Sequence, residues 1–213
     1  MIGKNDFTFP FDTCETPKNK WFAQPWSVAV NCISVLMVVY FLCKTKTSHA
    51  FLLLFLLLLF DISHTFSHFV HIPSKIQITL VHVLAYLLNF AFIYALYKHT
   101  KKVPTLSLLL FLAAVIAFDI YAFFNLSLLY YLFTQIIFFF SVFFYYYGAL
   151  HKGMKKHLKL MLLFIGLVYL GFVNEAFNCK SMLAILPDFP FHAIIEIFSL
   201  FAVYYFCQTF YKI

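Results

Sequence analysis

The apolar positions of this chain fall into seven long runs, at about 24–43, 49–71, 76–97, 105–124, 126–150, 158–177 and 191–211. At a helical rise of about 1.5 Å per residue, each run is long enough to cross a hydrocarbon core of about 30 Å. The interruptions are short and carry charges or helix breakers. They are Lys44 to Thr47, the turn at Pro73, Lys98 to Pro104, the corner at Asn125, His151 to His157, and a longer loop from Asn178 to Pro190. The pattern predicts an all-α integral membrane protein, with an outer segment over 1–23 and a single seven-helix transmembrane domain over 24–213. Residues 1–20 carry charges and prolines without an apolar core, so no cleavable signal peptide is expected. No internal repeat of fixed period is visible, which argues against an inverted-repeat transporter.

Composition sharpens this picture. The chain is 64% hydrophobic, 22% aromatic and 11% charged, more apolar surface than a soluble domain of 213 residues can cover. All fifteen basic residues are Lys, and the net charge of +7 points to loops beside a cytoplasmic leaflet rather than to nucleic-acid readout. No nucleic-acid partner is expected. Loops one, three and five hold Lys44, Lys46, Lys98, Lys101, Lys102, Lys152, Lys155 and Lys156 with no acid among them; the alternate loops hold only Lys75 and Lys180. The positive-inside rule then places the N-terminus outside or lumenal and the C-terminus in the cytoplasm. The five Cys are scattered and form no CxxC, which excludes a disulfide scaffold.

The candidate chemistry sits where the second run stops being hydrocarbon. Residues 51–60 are all Leu and Phe, and Asp61, His64, His68 and His71 follow. At about 100° per residue these four share an arc of about 80°, with Ser67 on its flank. An ionisable group inside a membrane costs about 2.5–3.5 kcal/mol, so such a stripe must face protein, water or a metal. With the topology above, His68 and His71 lie near the outer end of span two, and His82 lies about 9 Å inside span three. His192 stands at the mouth of span seven with Glu196 one turn deeper. Asp119 is in the outer part of span four and Glu175 near the outer end of span six. Five spans thus bring ionisable groups to one leaflet, and the inner halves hold almost none.

His and Glu at i and i+4 on one helix, with His from another, are the ligand class of catalytic zinc. Zinc brings its bound water to a pKa near about 7 and polarises a carbonyl. A hydroxyl such as Ser67 can donate to the oxyanion that develops. Haem is a rival for paired membrane histidines, but it leaves Glu196 unexplained. A proton or metal pathway would carry polar residues on through the inner leaflet, and the sequence does not.

Four ordered motifs resemble those of the alkaline ceramidase family. They are Asp12-Thr-Cys-Glu15 with Phe22 to Trp26 and Asn31, then Ser67-x-x-x-His71, then Asn174 to Cys179, then His192-Ala-Ile-Ile-Glu196. The resemblance implies seven spans around a zinc site that hydrolyses the amide bond of ceramides, in a superfamily that includes adiponectin-receptor-like proteins. It puts zinc on His71, His192 and Glu196, with Ser67 beside it. This chain departs from the family at several points. Glu196 stands where the family has a second His, and His82 where it has an Asp. His64 and His68 fall outside the motif and would move the metal site one turn along span two, which brings His68 into the ligand set. The family's calcium site keeps Asp12 and Glu15, with Gln24 in place of an acid, so any Ca²⁺ would be held weakly. Cys14 and Cys179 belong to two of these motifs, and the topology puts both outside, where disulfides persist. A bond between them is expected.

The expected function is a membrane-embedded, zinc-dependent hydrolase of a lipid amide, with a ceramide-like substrate entering from the outer leaflet. His71, His192, Glu196 and His68 are the candidate ligands, Ser67 the oxyanion donor, and His82 or Asp119 the proton carrier. The alternative is a non-enzymatic seven-span lipid receptor or binding protein with a structural metal, favoured if a fourth protein group such as His82 closes the ligand set. A metal or haem membrane protein is the third reading.

Overall fold

A computed structural model describes Cys14 and residues 22–69, 75–125 and 128–213. Of the predicted outer segment it therefore describes Cys14, Phe22 and Ala23; Asp12, Glu15 and His71 lie outside the described residues. The described residues form seven helices and no strand: α1 Pro25–Leu42, α2 Ser48–Phe69, α3 Lys75–Thr100, α4 Leu106–Asn125, α5 Leu128–Tyr147, α6 Lys152–Ile185 and α7 Phe191–Phe210.

The local signals account for most boundaries. Pro25 opens α1, where a missing N–H costs nothing. Lys101 closes α3 by taking the left-handed conformation, at φ 59°. His151 caps α6 by accepting the Met154 amide on its ring nitrogen. Both boundaries of α6 differ from the apolar pattern: the sixth run starts at about 158, yet the helix starts at Lys152, inside the expected break. The sixth run ends at 177, yet α6 continues to Ile185. Polarity ends the apolar span at Asn178, but nothing breaks the helix before Pro187. The extra turns carry Cys179 beyond the apolar stretch.

Five helices are long and apolar enough to cross a membrane: α1, α2, α3 from Thr79, α6 as far as Glu175, and α7. The apolar stretches of α4 and α5, Leu106–Ala122 and Phe133–Tyr147, are shorter. This is the pattern of a multi-pass membrane protein. Sequence neighbours pack side by side in the pairs α1–α2, α2–α3, α4–α5 and α6–α7, and α1 also packs on α7.

The two ends of the bundle differ in chemistry. Toward the end that carries the lysine loops the core is apolar, built on Val38, Leu53, Leu54, Phe138, Tyr146 and Phe210. Phe92 is its hub, with ring centroids 4.9 Å from Phe139, 5.9 Å from Phe206 and 5.5 Å from Phe210. Lys44 lies 3.9 Å above the Tyr40 ring and Lys102 3.7 Å above the Tyr145 ring, so these chains bend back toward a polar boundary. The buried ionisable groups of α2, α6 and α7 gather at the opposite end.

Candidate metal centre

The site starts from the end of α2. The last carbonyls of a helix have no partner within it. Here the amides of Ala23 and Gln24, just before α1, donate to the carbonyls of Phe69 and His68, each at 3.1 Å. This short pairing brings the Gln24 side chain onto His68. Gln24 Oε1 lies 2.5 Å from His68 Nδ1. An amide oxygen only accepts, so Nδ1 carries the hydrogen and Nε2 presents its lone pair.

On the Nε2 side three residues converge. His64 Nε2 lies 3.2 Å from His68 Nε2, and both lie 3.4 Å from Glu196 Oε1 on α7. The three atoms form a nearly equilateral triangle. Donors at about 2.0–2.1 Å from a tetrahedral zinc are about 3.3 Å apart, so the triangle has the dimensions of one tetrahedral face. His64, His68 and Glu196 can thus hold a metal ion. The sequence places the two His at i and i+4 of one helix, where they share a face.

His192 sits on the other side of Glu196. Its Nε2 is 3.1 Å from Glu196 Oε1, and its Nδ1 is 2.9 Å from Glu175 Oε2 on α6. It therefore lies between two carboxylates and is hydrogen-bonded to Glu175. Glu175 Oε1 in turn accepts the backbone amide of Cys14 at 3.1 Å. Cys14 is joined to Cys179, as the topology and the family motifs led us to expect, with Cα atoms 5.4 Å apart. A carboxylate hydrogen-bonded to an imidazole in this way fixes the orientation of the ring.

Two corners of the triangle, His64 and Glu196, line a cavity of about 320 Å³ between α2, α3, α5, α6 and α7. His64, Asp61 and Glu196 are on its wall, and most of the rest is apolar: Leu57, Val81, Leu88, Phe139, Phe172 and Val203 among others. His64 is 15% exposed, whereas His68 and Glu196 are 0% and 2% exposed, so His64 is the ligand that meets the cavity most fully. Asp61, one turn below His64, accepts the Ser34 hydroxyl at 2.6 Å.

The other expected residues have different neighbours. The Ser67 hydroxyl, the expected oxyanion donor, is turned into its own helix and donates to the His64 carbonyl at 2.7 Å. Asp119 is buried away from the cavity wall and accepts from the hydroxyls of Tyr86 and Thr134, so it ties α4 to α3 and α5. His82 is buried in α3 and is not among the residues that wall the cavity. Gln24, expected at a calcium site, is 1% exposed with its carbonyl on His68. The site residues without an expected role were His64 as ligand, Glu175 behind His192, and Asp61 on the wall. All three stood out in the sequence as ionisable groups inside apolar runs, which was the available signal.

No family model matches the chain, and no curated protein and no solved structure matches it.

Proposed function

We propose that this chain is a seven-span membrane hydrolase that uses zinc to cut the amide bond of a ceramide-like lipid. Its lysine-bearing loops and C-terminus would face the cytoplasm and its metal centre the outer or lumenal leaflet. The observation that carries the reading is the triangle of His64, His68 and Glu196 at the end of an apolar cavity. Three protein donors with one tetrahedral direction left over are the arrangement of catalytic rather than structural zinc. The substrate class rests on the four motifs that resemble those of alkaline ceramidases.

Zinc at this site supplies a Lewis acid for the carbonyl and a nucleophilic water at neutral pH. The residues do the rest. His68 is held in its ligating tautomer by Gln24, and His192, which Glu175 orients, stands beside Glu196. The apolar wall takes the hydrocarbon chain and excludes bulk water. Asp61 is the carboxylate on that wall placed to take up and return the proton, with Ser34 fixing its orientation. The cleaved lipid leaves as a fatty acid and an amine.

The test is elemental analysis of the purified chain, followed by release of fatty acid from N-acyl sphingoid lipids with and without a chelator. We expect one zinc per chain and hydrolysis that the chelator abolishes. A chain without transition metal, or hydrolysis indifferent to the chelator, overturns the reading.

A second reading, a lipid receptor with a structural metal, is favoured by one contact. His192 Nε2 is close enough to Glu196 that a small ring movement would make it a fourth donor. A set closed in that way leaves no direction for water. Bound zinc with no turnover on any lipid amide would select it.

A further inference from the structure

The wall of the cavity carries a second polar station that the proposed hydrolysis does not use. On α3 the Asn89 side-chain amide donates from Nδ2 to Gln135 Oε1 on α5 at 2.7 Å, and both residues face the cavity. That bond uses one donor and one acceptor. Asn89 Oδ1 and the Gln135 amide nitrogen make no further hydrogen bond among the described residues.

Its position is defined by the helices. Along α3 the wall runs from Val81 to Asn89, and along α7 from Ile195 to Val203. Val81, Ile195 and His64 belong to the end that carries the metal centre. Asn89 belongs to the other end, with Leu57 and Val203. Eight helical residues separate Val81 from Asn89, a distance of about 12 Å. Between the two stations the wall is mainly hydrocarbon, with Asp61 on α2 and the hydroxyl-bearing side chains of Tyr169 and Ser199 on α6 and α7.

A side-chain amide inside hydrocarbon is costly when its groups lack partners. The pair offers an acceptor and a donor side by side, and the simplest group that answers both is a hydroxyl. A plain acyl chain would pass the pair without satisfying either.

We infer that Asn89 and Gln135 read a hydroxyl on the hydrocarbon chain of the ligand, about 12 Å along α3 from the end of the cavity that carries the metal centre. The ligand class is therefore a hydroxylated long-chain lipid, with its carbonyl at His64 and Glu196 and its chain hydroxyl at the amide pair. The inference rests on the cavity being the lipid site of the proposed hydrolase.

The test uses the full chain in nanodiscs, loaded with zinc, and a fluorescent fatty acid as the reporter. Stearic acid and its mid-chain hydroxy analogue compete for the site. The hydroxy acid is expected to displace the reporter at a concentration lower by about tenfold, the effect of a satisfied hydrogen-bonding pair. Asn89→Leu and Gln135→Leu should each bring the ratio toward one while the affinity for stearic acid holds, which also shows that the variants are folded. Equal affinities in the unmodified chain overturn the inference without any variant, and so does a preference that survives both substitutions. If neither acid displaces the reporter, the inference and the lipid reading fall together, and the zinc content of the same sample then shows whether the metal centre stands alone.

Discussion

The backbone amide of Cys14 donates to the Glu175 carboxylate over 3.1 Å, across 161 residues of sequence. Cys179 lies one turn beyond Glu175 on the same helix and is bonded to Cys14. The disulfide and the hydrogen bond therefore clasp one turn of α6, and the other oxygen of Glu175 holds His192. Reduction should loosen the clasp and let Glu175 and His192 drift from Glu196. Loss of such a supporting group typically costs about 10–100-fold in metal affinity. Zinc affinity measured by chelator competition should fall by that factor in Cys14→Ser and in the reduced chain. An unaltered affinity would show that the clasp is mechanically separate from the site.

The two sides of Glu196 should behave differently. His64→Ala, His68→Ala and Glu196→Ala each remove a corner of the triangle and should abolish tight zinc binding. His192→Ala removes a supporting neighbour and should weaken it by about 10–100-fold. Complete loss in His192→Ala, with retention in His64→Ala, would move the centre to the His192 side and restore the ligand set expected from the family motif.

Asp61 should act in turnover and not in metal binding. It shares the cavity wall with His64 and Glu196, and Ser34 fixes one of its oxygens. Asp61→Asn keeps the shape and the Ser34 contact but accepts no proton. Zinc content should hold while hydrolysis of lipid amides drops by about 10²–10⁴-fold. Full activity in this variant would return proton transfer to His82, the earlier candidate.

Packing next to the site offers an independent handle. A Cβ at Gly171 on α6 would lie 2.7 Å from Ile195 Cγ1 on α7, the neighbour of Glu196. Gly171→Ala must displace the Ile195 side chain, at an overpacking cost of about 1–3 kcal/mol. The expected outcome is lower thermal stability together with weaker zinc binding. Pairing it with Ile195→Val should recover part of both.

Much of this was legible in the sequence, for reasons that the individual residues make clear. Buried helices need long apolar runs, so the helix order could be read directly, and a stripe of Asp61, His64 and His68 on one face is too costly in hydrocarbon to be incidental. The choice among its histidines was not legible. His64, His68 and His71 have near-equivalent helical spacing, and spacing alone does not say that His64 and His68 meet Glu196. The end of α6 was misplaced because polarity marks where an apolar span ends, whereas a helix ends at Pro or Gly. Spacing places the Ser67 hydroxyl on a face but cannot say that it bonds back to the His64 carbonyl.

Gln24 provides the sharpest separation of two roles. The family motif places it among calcium ligands; its side chain instead meets His68 Nδ1, and its backbone amide meets the His68 carbonyl. Gln24→Leu keeps the backbone pairing, which needs no side chain, and deletes the acceptor. His68 would then bury an N–H without a partner, and its ring could turn or change tautomer until Nε2 no longer faced the triangle. Zinc affinity should fall by about 10–100-fold. Gln24→Glu supplies a stronger acceptor of similar shape and should preserve or raise zinc affinity, since a carboxylate on the far nitrogen makes the imidazole a better ligand. A calcium ligand would respond differently: Leu would lower calcium affinity with zinc unchanged, and Glu would raise calcium affinity by adding an anionic oxygen. Titrating both variants with each ion decides between the roles. A zinc affinity that ignores Gln24→Leu would remove this residue from the metal centre.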